Sequence, residues 1–174
     1  MYMKKQVNSQ SFLSGCSDME ETVNMSDVLN SVYGKKVCRV AVGKHNKLSI
    51  GIGEKVYHGN SRLKNNYYGE YEIGTYYGDW RIIREKKILL SSADKIDFKT
   101  LNEKINKIQL DEVTKITSSQ CDVQVTFRNG TTVEIIATPS DDEVFHIFCP
   151  DNVYAEFTTA GIWKIGKSNA PWKD

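Results

Sequence analysis

The sequence predicts an α+β domain: a mainly antiparallel β-sheet or sandwich with one amphipathic helix and a short N-terminal helix. Three observations carry that expectation. Runs in which apolar and polar residues alternate recur between residues 36 and 165, at the two-residue period of a half-buried strand. Turn-forming groups, His45-Asn46, Asn129-Gly130 and Pro150-Asp151-Asn152, separate these runs at hairpin spacing. One stretch, Phe98, Leu101, Ile105 and Ile108, switches to helical spacing.

Residues 1–25 are rich in Ser, Asn, Gln and Lys and read as a polar flexible tail, residues 26–165 as a single β-rich domain, and residues 166–174 as a frayed end. Ser26 is the expected cap of a short helix with Val28, Leu29, Val32 and Tyr33 on one face and Gly34 as its left-handed stop. Two antiparallel strands follow, one through Val37, Val40 and Val42, the other with Leu48, Ile50 and Ile52 opposite Ser49, Gly51 and Gly53. That glycine face leaves room for large side chains of a neighbour to lie over the backbone. Glu54 to Asn66 reads as a polar loop. Tyr71, Ile73, Thr75 and Tyr77 then share one face of a strand, and Gly78-Asp79 form a turn or bulge before short strands at Trp80–Arg84 and Lys87–Ser91. Asp97 is the expected cap of the amphipathic helix, which turns Glu103, Lys104 and Lys107 outward. Strands at Val113–Thr117, Asp122–Phe127, Thr132–Ala137, Val144–Cys149, Val153–Thr158 and Ile162–Ile165 complete the domain.

A chain of 174 residues and 19.8 kDa is one domain in size, and 40% hydrophobic residues supply a core. With 26% charged residues and a mean hydropathy of -0.46, the composition is that of a soluble protein. Twenty-three basic against 22 acidic residues leave a net charge of +1, which gives no electrostatic reason to expect a polyelectrolyte partner. No apolar run approaches the roughly 18 to 20 residues of a membrane helix, so no membrane partner is expected. Leu13-Ser14-Gly15-Cys16 has the form of a lipoprotein cleavage box, but the preceding Gln6 to Phe12 is too polar for a signal sequence. Cys16, Cys38, Cys121 and Cys149 lie far apart and form no C-x-x-C pair; reduced thiols and a cytoplasmic location are the expectation.

Catalytic motifs are missing from the text of the chain: it contains no phosphate loop, G-x-S-x-G, H-E-x-x-H or G-x-G-x-x-G. His45, His58 and His146 are dispersed, and Asp94 and Asp97 are spaced for capping. No catalytic residue, metal ligand or cofactor is therefore expected. Contact chemistry is better represented. Six of the nine tyrosines fall between residues 57 and 77, interleaved with Arg62, Lys64, Asn65 and Asn66. Trp80 and Arg81 have the composition of a binding hot spot. The expected partner-binding residues are Tyr67, Tyr68, Tyr76, Trp80 and Arg81, and the expected partner is another protein, since tyrosine offers large contact area without one sign of charge. An enzyme or small-ligand carrier with a sheet pocket lined by Tyr76, Trp80, Arg81 and His146 is the alternative. Single-stranded nucleic-acid binding is the third reading, opposed by Glu54, Glu70, Glu72 and Asp79 in the tyrosine-rich stretch.

The order of features, Val32-Tyr33-Gly34-Lys35-Lys36-Val37, then Leu48 to Gly53, Tyr71 to Ile73, Trp80-Arg81-Ile82 and Ser91-Ser92-Ala93-Asp94, resembles an uncharacterised family of small bacterial β-rich proteins. Val123 to Phe127, Asn129-Gly130, Val133 to Ile136, Phe145 to Pro150 and Gly161-Ile162-Trp163 are similar to the C-terminal part of that family. The resemblance spans roughly residues 26 to 165. Some members lie in polymorphic-toxin neighbourhoods where such proteins act as immunity factors, so it implies an accessory, toxin-neutralising binding role and transfers no catalytic residue.

Overall fold

The structure, a computed structural model, describes residues 23–59, 66–138 and 142–168. Within them the chain forms α1 (Met25–Val32), β1 (Val37–Val42), β2 (Leu48–Tyr57), β3 (Tyr67–Thr75), β4 (Asp79–Arg84), β5 (Lys87–Ser91), α2 (Phe98–Ile105), β6 (Val113–Ser119), β7 (Asp122–Phe127), β8 (Thr132–Ile136), β9 (Glu143–Phe148), β10 (Val153–Thr158) and β11 (Trp163–Lys167). The strands make two antiparallel sheets, one of six in the order β1-β2-β3-β9-β10-β11, the other of five in the order β5-β4-β8-β7-β6. This is the mainly antiparallel α+β architecture the alternation predicts.

Register explains why the alternation works. Across the larger sheet, Val40, Ile50, Ile73, Ile147, Ala155 and Ile165 are successive cross-strand partners, an unbroken apolar row. Ile50, Ile73, Ile147 and Ala155 join Trp80, Ile82, Val125, Phe127, Val133 and Ile135 of the smaller sheet in one hydrophobic cluster. Burying each large side chain of this kind contributes roughly 1.5–3 kcal/mol.

The two sheets are not stacked strand along strand. Val113, at the start of β6, donates its N–H to Lys35 O at 3.0 Å and accepts from Gly34 N at 2.8 Å, beside the start of β1. At the far end of β6, Cys121 Sγ donates to Thr159 O at 3.1 Å, beside the β10–β11 turn. β6 thus runs from one edge of the larger sheet to the other, so the strands of the smaller sheet cross those of the larger.

The helices close the ends. Asp97 caps α2 as expected, accepting from Lys99 N at 2.9 Å and Thr100 N at 3.2 Å. Leu101 and Ile105 enter the core, while Asn102 Oδ1 accepts from Val42 N at 2.8 Å on edge strand β1. In α1 the cap is Asn24 rather than Ser26: its Oδ1 accepts from Asp27 N at 3.1 Å, and Ser26 is already helical.

Two further expectations change. Glu54–Tyr57 continues β2 instead of looping out, because Gly53 (φ +81°) inserts one extra residue and resets the register, so that Lys55, Val56 and Tyr57 pair with Gly69, Tyr68 and Tyr67. Residues 166 and 167 belong to β11, paired with Tyr154 and Val153. Cys16, Arg62, Lys64 and Asn65 lie outside the described residues, as does almost all of the expected N-terminal tail.

Candidate functional site

The face of the larger sheet that points away from the core is polar, and two cross-strand rows define it. One runs Arg39, Gly51, Glu72, Phe148, Tyr154, Gly166; the next runs Ala41, Ser49, Gly74, His146, Glu156, Lys164. On β1–β3 the small residues Ala41, Ser49, Gly51 and Gly74 leave Arg39 and Glu72 uncovered, while on β9 and β10 Phe148 and Tyr154 stand beside His146 and Glu156. Arg39 forks onto Glu72, Nη2 to Oε2 at 2.6 Å and Nε to Oε1 at 3.3 Å, and Ser49 Oγ bridges the two at 2.7 Å from each. Their side chains are only 11% and 13% exposed, so this ion pair is set into the sheet rather than waving above it. Glycine makes that possible: a Cβ on Gly51 would stand 2.8 Å from Glu72 Oε1. The glycine face of β2 therefore does receive large neighbouring side chains, and they are charged.

At the centre is a glutamate–histidine pair that strand periodicity would place on opposite faces. Glu143 and His146 are three residues apart, an odd spacing, and odd spacing along a strand separates side chains. β9 carries a bulge here: Phe145 pairs with Phe157, but Glu143 rather than Val144 pairs with Thr158. The extra residue turns Glu143 onto the His146 face. Glu143 Oε1 lies 2.8 Å from His146 Nδ1 and accepts from Tyr76 N at 3.3 Å. An ionised Glu143 can only accept, so the proton between it and the ring then sits on Nδ1, and the uncharged tautomer of the ring presents a lone pair at Nε2.

Aromatic rings hold the imidazole. Tyr76 lies 4.6 Å from it between ring centres, Phe148 5.1 Å and Tyr154 6.3 Å. The Tyr154 hydroxyl donates to Glu156 Oε2 at 3.2 Å. Burial pushes the Glu156 carboxyl above the usual carboxylate range, and burial together with Glu143 raises the Tyr76 and Tyr154 phenols. Burial alone pushes the neighbouring Cys149 thiol up to about 11, which leaves it protonated and a poor nucleophile at neutral pH.

Over this face lies a groove of about 880 Å³, with Val56 and Tyr68 toward one end of the β2–β3 pair and Lys47 and Tyr76 toward the other. Arg39, Glu72, His146, Phe148 and the turn at 150–152 also line it. Of the charges in it, Arg39 is spent on Glu72, and Glu70 pairs with Lys35 outside the groove at 3.0 Å, while Asp151 makes no ion pair among the described residues. Lys47 Nζ sits over the rings of Tyr76 and Tyr77, at 4.9 and 5.5 Å, and makes no ion pair among the described residues. His146 Nε2 and the Tyr76 hydroxyl likewise have no hydrogen-bond partner among the described residues, although the His146 side chain is 94% buried by its 6% exposure. Among the described residues no group of three His, Cys, Asp or Glu side chains is placed to hold a metal.

The groove gathers Tyr68 and Tyr76 of the expected contact residues, along with His146 of the pocket alternative. It does not gather the others. Tyr67, next to Tyr68 on β3, donates its hydroxyl to Cys38 O at 3.3 Å, and its ring packs 5.7 Å from Tyr57. Trp80 is 0% exposed in the core, its indole N–H donating to Asn46 O at 2.7 Å, so it offers no contact surface. Arg81 points to the opposite face of β4, pairs with Glu134 at 2.5 Å, and lines a separate depression on the smaller sheet. Neighbours on a strand diverge by construction, which is why Trp80 and Arg81 do not act as a pair. Sequence reasoning missed Glu143, Lys47 and Glu156. A signal for the first existed, a strand-borne acid close to a histidine, but the bulge that unites them is invisible to periodicity.

No helix among the described residues is long and apolar enough to cross a membrane. No family model, curated protein or solved structure matches this chain.

Proposed function

We propose that this domain works by binding another protein, with the groove on the outer face of the larger sheet as its receiving surface. One observation carries the reading: Tyr76, Lys47 and His146, whose hydroxyl, Nζ and Nε2 have no hydrogen-bond or ion-pair partner among the described residues, all line a recess walled by Tyr68, Tyr76 and Phe148. Aromatic walls around a few oriented polar groups are the composition of interface hot spots. The narrower form, neutralisation of a toxin, is supported by the sequence resemblance. The Cys149 thiol, held protonated by burial, is a poor nucleophile.

A second reading has its own support. The size of the groove and the Glu143–His146 pair suit a small-ligand carrier or an enzyme using the imidazole as a base. Glu70, Glu72 and Glu143 along the same face argue against a nucleic-acid backbone.

Site-specific photo-crosslinking in the source cells tests the proposal, with a benzophenone side chain in place of Tyr68 and, as control, in place of Arg81 on the other sheet. A discrete protein adduct from position 68 and none from 81 is the expected result. Equal adducts from both, or none from 68, would count against protein recognition; a small molecule retained in native mass spectrometry without a protein adduct would favour the second reading.

A further inference from the structure

We propose that the group recognised at the centre of the groove is a neutral amide, whose N–H donates to His146 Nε2 and whose carbonyl accepts from Lys47 or the Tyr76 hydroxyl. This rests on the protein-binding reading and deepens it, since a main-chain segment or an Asn or Gln side chain supplies that group.

The argument is one of complementarity. Glu143 Oε1 accepts both Tyr76 N–H and His146 Nδ1–H, so Nε2 of the neutral ring is an acceptor, and it is held in place by Tyr76, Phe148 and Tyr154. The side chain is only 6% exposed and no described residue bonds Nε2, so this acceptor faces the groove's solvent and a ligand can supply its donor in place of water. Beside it stand Lys47 Nζ, a donor only, at 4.9 Å from the Tyr76 ring centre, and the Tyr76 hydroxyl, which can donate. A ligand that brings a donor and an acceptor together satisfies Nε2 and Lys47 at once.

Charged groups fit less well. A carboxylate would oppose its own lone pairs to Nε2, within a face that already holds Glu72, Glu143 and Glu156, while Arg39 is engaged by Glu72. An ammonium would satisfy Nε2 but meet Lys47, which has no carboxylate to neutralise it among the described residues. An amide satisfies both ends without adding a charge beside Glu72 and Lys47. Polypeptide main chain alternates donor and acceptor along its length, so it meets both ends of the site without a demanding spacing.

Three matched probes separate these cases: benzamide, benzoate and benzylamine, each with a ring suited to the aromatic walls and differing only in the polar head. The readout is the ring-nitrogen NMR signals of His146 in the full chain at neutral pH, assigned through the His146→Phe variant. Benzamide is expected to shift Nε2 saturably and to bind at least about tenfold more tightly than the other two. His146→Phe and Tyr76→Phe are each expected to weaken benzamide binding by about tenfold, read on backbone amide signals; Tyr76→Phe removes one exposed oxygen and carries the test alone should His146→Phe misfold. Equal or tighter binding of benzoate or benzylamine, no shift at His146 with any probe, or benzamide affinity unchanged in folded variants would overturn the assignment. The two readings fail separately: a position-68 protein adduct with no benzamide response sinks the amide site alone, and benzamide binding without an adduct supports the site and sinks protein recognition.

Discussion

Glu143 Oε1 stands 2.8 Å from His146 Nδ1 across a bulge in β9, with both side chains nine-tenths or more buried. The carboxylate links the imidazole to the backbone of residue 76, through Tyr76 N–H at 3.3 Å. Glu143→Ala strands both donors and is expected to cost about 1–3 kcal/mol in urea unfolding, whereas Glu143→Gln, which keeps an acceptor, costs less. Equal losses for the two would show that the hydrogen bonds contribute little.

Arg39 and Glu72 form the second buried polar unit of the face. Removing one partner leaves an uncompensated charge, so Arg39→Met is expected to destabilise by about 3 kcal/mol or more. The double variant Arg39→Met, Glu72→Leu should recover much of that loss. A double-mutant cycle with no coupling energy would mean that the pair is effectively solvated despite its 11% and 13% exposure.

At Gly74 the backbone of β2 leaves no room for a side chain: a Cβ there would stand 2.1 Å from Leu48 O. Backbone cannot yield as a side chain can, so Gly74→Ala is expected to cost about 3 kcal/mol and to distort the groove floor. Gly43→Ala is the control, since its Cβ would meet only Lys47 Cβ at 3.9 Å. Thermal unfolding of the two variants side by side checks the contrast, and similar melting temperatures would refute it.

Burial raises the folded-state pKa of Glu156 above its unfolded value. The sign follows: below the unfolded pKa the carboxyl is neutral in both states and contributes nothing, while above the folded pKa it is charged in both and lowers stability. Glu156→Gln is therefore expected to stabilise at neutral pH, with the gain vanishing as pH falls below the unfolded-state pKa of the carboxyl. Denaturant midpoints of both proteins across that range are the measurement; a gain that persists in acid would point to packing instead of charge.

Local chemistry in the sequence determined the strands, the Asp97 cap and the Gly130 hairpin, because alternation, capping and left-handed turns act within a few residues. The same local rules show that Tyr68 and Tyr67, or Trp80 and Arg81, cannot share a face. Sheet membership was decided elsewhere: after Thr75 the chain leaves the larger sheet for the smaller, and β3 takes β9 as its partner, about seventy positions away in number. A period-two pattern is identical in either sheet, so nothing local distinguishes them. The candidate site depends on two further tertiary facts, the register that sets Gly51 and Gly74 among charged neighbours and the extra residue that turns Glu143 toward His146. One inserted residue inverts a face, and only pairing across strands reveals where it falls.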